Sequence, residues 1–442
     1  MMEPPGTLAA DQRLSLSFRV MPVVWLRVLA RYVSVQVVVQ AIGFLSGIFV
    51  VHMLDKKEYA LYTIAGTMQG ALNLLSDIGV SSALTAIGGK IWQDSGRLGQ
   101  LVRSAVQFRW WLARFSVLAV TPVFCWMLLD HGARYLYAAL IIVTILVGCF
   151  FQLQFNVYLI VPKLRAQIGR IQKLDLWGAI LRLLTLLGVS LIHLNVPLAL
   201  AAAALSAFVQ YKILGGWVRE TVDLQGGAND YDRKQIAERV KQLLPTVIFY
   251  LLQGQLTILL ISFFGRTENV AEIGALARLT AFFSLFGAFI SNIVAPYYAP
   301  RTQDLSRVKH LYFQITVLAA VLSLFLISIS VRFPTQVLWI LGPQYMGLKR
   351  EVSLMVGVAC LNFLINTMWV LNLTKGWTKH AWLQIPLTLT AQVVLLPYLD
   401  LSAVSGVLCF GIISAFPVFV LQFWLFRAGF HSEQLRLDGS MP

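Results

Sequence analysis

Runs of about twenty mostly apolar residues recur along the whole chain, and about twenty is what one helix needs to cross a bilayer. Twelve runs can be marked off, near residues 24–53, 59–88, 101–129, 135–161, 172–193, 197–218, 244–264, 271–299, 308–332, 351–373, 378–399 and 402–426. No water reaches the middle of a bilayer, so each backbone N–H and C=O must be paired within its own segment. The runs are therefore expected to be helices. The alternating apolar and polar pattern of an outer-membrane barrel is absent. Only 12% of the residues are charged, against about 25% in soluble domains. The fold class expected is an all-α polytopic membrane protein.

One stretch is built for water. Arg219–Gln242 mixes Asp223, Asp230, Asp232 and Glu238 with Arg233, Lys234, Arg239 and Lys241, and Gly226 and Gly227 loosen its middle. Asp232 is placed to cap a short amphipathic helix running to Gln242. The stretch lies near the centre of the chain and divides it. The expected organisation is a lead-in at 1–22, a six-helix lobe at 23–221, a linker at 222–243, a second six-helix lobe at 244–428 and a tail at 429–442.

Lys and Arg placement orients the chain. With the N-terminus in the cytosol, Lys90, Arg97, Arg103, Lys163, Arg165, Arg170, Lys173, the linker, Arg307, Lys309, Lys375 and Lys379 all fall on the cytosolic side. The opposite side keeps Lys56, Lys57, Arg134, Arg266, Arg332, Lys349 and Arg350. Both termini are expected inside. The net charge of +15 then reflects membrane anchoring and buried arginines, and no basic tract is interleaved with exposed aromatics as a nucleic-acid surface requires. Trp92, Trp110, Trp111, Trp339 and Trp377 are expected at membrane interfaces. Cys125, Cys149, Cys360 and Cys409 each stand alone in apolar runs, without metal-ligand spacing.

A faint repeat supports two halves. KKEYALYTI opens the second run and AEIGALARL the eighth, six runs apart, which suggests two bundles with a substrate site between them.

Polar residues at helical spacing mark inward faces. Gln36 and Gln40 line up in the first run, Gln69, Asn73 and Asp77 in the second, and Asn362 and Asn366 in the tenth; the seventh offers Gln253 and Gln255. Stripes on several helices point to a hydrated cavity, while any one of them can equally be helix–helix glue. The charges inside the runs are Arg31, Arg114, Arg182 and Arg278, with Asp77 the acid clearly inside a run. An uncompensated Arg at mid-bilayer costs about 2.5–3.5 kcal/mol even on lenient scales. An excess of arginine fits a lumen that attracts a phosphate or diphosphate. Arg109 is expected to snorkel to the edge beside Trp110 and Trp111. Arg114 divides between snorkelling and lumen, Arg182 between the lumen and a bridge to Asp175, and Asp77 between the lumen and an ion pair with Arg31. Arg31 and Arg278 are expected to face the cavity.

No GxxxxGK[ST], HExxH or GxSxG is present, and no extramembrane segment is long enough for a catalytic domain. A transporter is expected rather than an enzyme, without a cofactor or metal, and Asp77 and His52 are the titratable candidates for ion coupling.

KKEYALYTIAGTMQGALNLLSDIGVSSAL after the first run, VAEIGALARL before the eighth, VLWILGPQYMGLKREV between the ninth and tenth and the closing AVSGVLCFGIISAFPVFVLQFWLF resemble the polysaccharide flippases. These share a superfamily with the MATE drug exporters and the lipid II flippase. The resemblance covers roughly 33–426 and departs at Leu276, where family members often carry Tyr. It implies about twelve transmembrane helices in two pseudo-symmetric six-helix bundles of MATE-like form. It also implies a bacterial inner membrane and an undecaprenyl-diphosphate-linked oligosaccharide carried to the periplasmic leaflet by alternating access. A polysaccharide polymerase and a chain-length regulator would be partners. Arg31, Asp77, Arg278, Gln36, Gln40, Gln69, Asn73 and Gln253 would line the cavity. The rival reading is a MATE-type antiporter of cationic drugs, which predicts acids in the lumen.

Overall fold

The computed structural model describes residues 35–223, 227–298 and 305–437. The lead-in and Arg31 lie outside the described residues. Among the described residues every regular element is helical, with no strand.

Helix α1 (Val35–Met53) is followed by α2 (Lys56–Asp77) and α3 (Val80–Ile91), which together form one crossing bent by 41°. The bend has a local cause. Gly79 takes the left-handed conformation at φ 80°, which breaks the hydrogen-bond ladder between the two pieces. Then come α4 (Ser95–Asp130), α5 (Tyr135–Tyr158) with the short α6 (Ile160–Leu164), α7 (Ile168–Ser190) and α8 (Val196–Thr221). The second half holds α9 (Asp230–Phe264), α10 (Thr267–Phe289), α11 (Ala295–Tyr298), α12 (Leu305–Arg332), α13 (Pro334–Trp339), α14 (Lys349–Thr374), α15 (Gln384–Leu395) and α16 (Val404–Leu437). A π-helical turn, Ile290–Val294, joins α10 to α11.

Nine helices among the described residues are long and apolar enough to cross a membrane, and the bent α2–α3 pair makes a tenth. The other two expected crossings are helical but depart from the ideal. α7 carries Arg170, Lys173, Asp175 and Arg182, and the apolar helix ending in α15, Ala381–Leu395, is short. The chain is a polytopic membrane protein.

The linker departs from expectation. Asn229, not Asp232, caps the helix by accepting from the Tyr231 N–H, and α9 then runs unbroken for 35 residues into the seventh crossing. Asp232 is fully buried instead, gripped by both terminal nitrogens of Arg97 on α4. The cause is the neighbour: Ile236 and Val240 on the apolar side of this amphipathic turn pack into the first half's core with Val102 and Leu214. α16 likewise continues through the expected tail to Leu437.

We call the end of the molecule carrying the α8–α9 connection the linker face and the other end the far face. One apolar cluster joins both halves at the far face, from Val50, Tyr59 and Phe124 to Ile273, Leu341 and Tyr345. At the linker face the halves keep separate cores. The first holds Leu84, Leu101 and Leu214 with the start of α9, and the second holds Tyr298, Tyr312, Met368 and Phe426.

Candidate functional site: arginines between the halves

The site is built where α2 meets α10. These segments open with the two stretches paired in the sequence as equivalents, and they pack against each other from the far face inward. Gly274 permits the approach, because a Cβ there would run into the Thr63 side chain. The Tyr59 hydroxyl donates to the Gly274 carbonyl at 3.3 Å. Outside it, Lys56 pairs with Glu272 at 3.1 Å and lies over the Tyr345 ring, Gln344 donates to the Val51 carbonyl at 3.0 Å, and His131 meets the Thr267 hydroxyl at 3.1 Å. Burial holds the His131 imidazole below its ordinary pKa.

Arg278 sits eleven residues into α10, which began at Thr267; that is roughly 16 Å along the axis, close to the middle of a hydrocarbon core of about 30 Å. Its Nε donates to the Tyr59 hydroxyl at 3.1 Å, and its guanidinium lies over the Tyr62 ring, 5.6 Å from the centroid. Gly47 of α1 closes the other side, with room for a Cβ only 3.3 Å from Arg278 Cδ. Arg182 reaches in from α7 and donates from Nη2 to the Tyr62 hydroxyl at 3.3 Å. Its Nε is buried without a partner. Of the two alternatives for Arg182, the bridge to Asp175 is not formed, and its Nη2 goes to the Tyr62 hydroxyl instead.

Two guanidinium groups from different halves thus meet at Tyr62, with Tyr59 also held by Arg278, and no carboxylate pairs with either among the described residues. The two phenol oxygens and the Tyr62 ring face hold the arginines in place without a carboxylate. An anion arriving there would find fork-shaped donors already oriented.

Asp77 lies elsewhere, at the α2–α3 bend. Arg109 of α4 donates to it from Nη2 at 2.6 Å, and it also accepts from the Ser81 hydroxyl and N–H. Arg109 is 3% exposed. Its Nε reaches the Ser76 carbonyl and its Nη1 the Leu153 carbonyl. The expectation that Arg109 snorkels is overturned: it sits inside the first half because Asp77 neutralises it there. Sequence distance hid this pairing, since the partners lie 32 positions apart. Arg114 on the next turn of α4 is exposed, and Trp377, expected at an interface, is buried and donates to Glu433.

The amides scatter. Gln36 and Gln40 are half-buried on α1, as are Gln69 and Asn73 on α2, where the Asn73 Oδ1 has no partner. Gln255 reaches across to α2 at Gly70. Gln253 turns away into the second half and exchanges hydrogen bonds with Gln392, at 3.0 and 2.6 Å. His52 bonds back to the Ile48 carbonyl of its own helix. The tyrosines holding the arginines were not singled out from sequence, although both stand in the quoted KKEYALYTI segment.

No protein-family model matches the sequence, and no curated protein matches it. Solved structures share its fold. A MATE protein in complex with MaD3S superposes with a TM-score of 0.63 at 16% identity, over 91% of this chain and 95% of that one. The lipid II flippase MurJ, in an inward closed conformation, gives 0.62 at 10% identity over 93% and 99%. A MOP superfamily transporter from Pyrococcus furiosus, described as having a binding pocket of reverse polarity, gives 0.57 at 15% identity over 91% and 94%. The fold is therefore that of the MATE and lipid II flippase structures.

Proposed function

We propose that this protein is a flippase that moves an undecaprenyl-diphosphate-linked oligosaccharide across a bacterial inner membrane by alternating access. It is a transporter, not an enzyme. The observation that carries the reading is the arginine pair without a carboxylate: Arg278 and Arg182 lie between the halves on tyrosine supports. A diphosphate supplies the missing negative charge. Asp77, the acid a cation exporter would use, is already spent on Arg109.

The packing supports a direction. The halves share a core at the far face and keep separate cores at the linker face, so substrate enters from the linker side, assigned to the cytosol by its Lys and Arg. In this reading Gln36, Gln40, Gln69 and Asn73 line the path around the arginines, and the polyprenyl tail stays in lipid between the halves. The polymerase and chain-length regulator act on the product at the far face.

The test is reconstitution. Proteoliposomes holding the protein and a fluorescent undecaprenyl-diphosphate disaccharide are probed with a membrane-impermeant glycosidase. Time-dependent protection or exposure of the glycan that is lost in Arg278→Ala supports the proposal. Proton- or sodium-driven efflux of a cationic dye, with no glycan movement, replaces it with the antiporter reading.

A further inference from the structure

The second half contains a cavity that the arginine cluster does not use. It has a volume of about 440 Å³ and lies between α9, α14, α15 and α16, within the range of about 300–1,000 Å³ that small-molecule sites occupy. Its walls carry Gln253, Asn362, Gln384, Gln392, Thr388 and Ser414, and not one of its lining side chains is ionisable as acid, lysine, arginine or histidine. Three aromatic rings, Phe249, Tyr250 and Phe410, complete the wall.

Helix-to-helix adhesion accounts for part of this chemistry. Gln253 and Gln392 satisfy each other across α9 and α15, and the Thr388 hydroxyl bonds to the Gln384 carbonyl of its own helix. Each amide of the reciprocal pair still keeps a free N–H and a free lone pair. Asn362 goes further: it faces the cavity from α14, is exposed, and makes no hydrogen bond among the described residues. Amides held open in the membrane, beside flat rings and away from any charge, match a ligand with many hydroxyl or acetamido groups, an apolar ring face and no net charge.

We propose that this cavity binds one or two neutral sugar units of the transported headgroup. The proposal rests on the flippase reading and divides the labour between the halves. The diphosphate is held by Arg278 and Arg182, while uncharged sugars are held by the amide-lined cavity of the second half. A glycan whose first sugars carry carboxylates would lose the second contact, because a charge there would be desolvated without a partner.

Gly254 offers a clean probe. It lines the cavity, and a Cβ built on it meets nothing within 4 Å, so Gly254→Phe fills the space rather than straining the helix. Binding is read by saturation-transfer NMR on the full protein in nanodiscs, with lactose as the neutral probe and lactobionate as its carboxylated counterpart. Expected are saturable lactose binding in the millimolar range, at least tenfold weaker lactobionate binding, and loss of the lactose signal in both Gly254→Phe and Asn362→Leu, each eluting as a monodisperse peak. Lactose binding unchanged in Gly254→Phe, or equal binding of the two probes, overturns the proposal. The flippase reading fails separately. Lactose binding that depends on Gly254 without any glycan-lipid translocation keeps the cavity and removes the flippase, and translocation that is indifferent to Gly254→Phe does the reverse.

Discussion

Removing the charge of Asp77 while keeping its shape should destabilise the protein, and removing Arg109 as well should undo most of that loss. The pair joins α4 to the α2–α3 bend through a 2.6 Å contact, with Arg109 3% and Asp77 34% exposed. Breaking a fully buried pair by deleting one partner costs about 3–5 kcal/mol. The partial exposure of Asp77 lowers that to roughly 2–3 kcal/mol for Asp77→Asn. The asparagine can still accept from Ser81, so the bend keeps its support and the loss reports the stranded guanidinium. Arg109→Met leaves a carboxylate that still has Ser81 and some solvent, and should cost about 1 kcal/mol, the usual net value of a lost hydrogen bond. The double variant should lie close to Arg109→Met, giving a coupling of at least about 1.5 kcal/mol. Unfolding of the purified protein by increasing mole fraction of SDS, followed by tryptophan fluorescence, measures all four corners of the cycle. Additivity within about 0.5 kcal/mol would refute the claim that Asp77 neutralises Arg109 inside the fold.

Three further outcomes are expected. Arg278→Lys keeps a charge but loses the fork that reaches Tyr59 and stacks on Tyr62, so glycan-lipid translocation should fall about tenfold to a hundredfold, the worth of a charged hydrogen bond; a rate within twofold of the parent contradicts the site. Gly274→Leu should overpack the α2–α10 contact and destabilise by about 1–3 kcal/mol, and Thr63→Ala in the same chain should recover part of the loss in thermal midpoint; no recovery places the clash elsewhere. His131 has a folded-state pKa below its ordinary 6.5, because burial disfavours the charged ring. The unfolded chain therefore takes the proton first, so this contribution to stability is complete above 6.5 and is lost as pH falls below it toward the lowered folded value. His131→Gln should flatten the drop in thermal midpoint between pH 7.5 and 5, and an equal drop in both proteins argues against the imidazole.

Much of the fold was legible because lipid imposes one rule on every segment. Hydropathy alone set the twelve helical stretches, and where the structure departs from them the reason is local: Gly79 breaks the second crossing, and polar residues thin out α7. Side-chain partners were not legible. Nothing in the order of residues says that Arg109 turns inward to Asp77, that Arg97 captures Asp232, or that Arg182 prefers Tyr62 to Asp175 two turns away. Those choices depend on which helices become neighbours, and a 41° bend or a second half folded alongside decides that. The same blindness hid the cavity of the second half. Gln253 and Gln255 look like one polar feature, yet two positions on a helix are about 200° apart, and the structure sends one into the second half and the other to α2.

The continuity of α9 has a mechanical consequence. Its 35 residues make a rod of about 52 Å. The charged end is held in the first half through Arg97 and the cluster of Ile236 and Val240, and further along Gln255 and Phe263 still touch the first half while Gln253 bonds to α15 of the second. A tether would let the halves swing independently, whereas a clamped rod converts any swing into torque at its clamp. Pro245 lies between Val240 and Val247, both packed on the first half's core, and leaves the Lys241 carbonyl without its helical N–H. The rod is softest there, so any bending of α9 would concentrate within a single turn of helix.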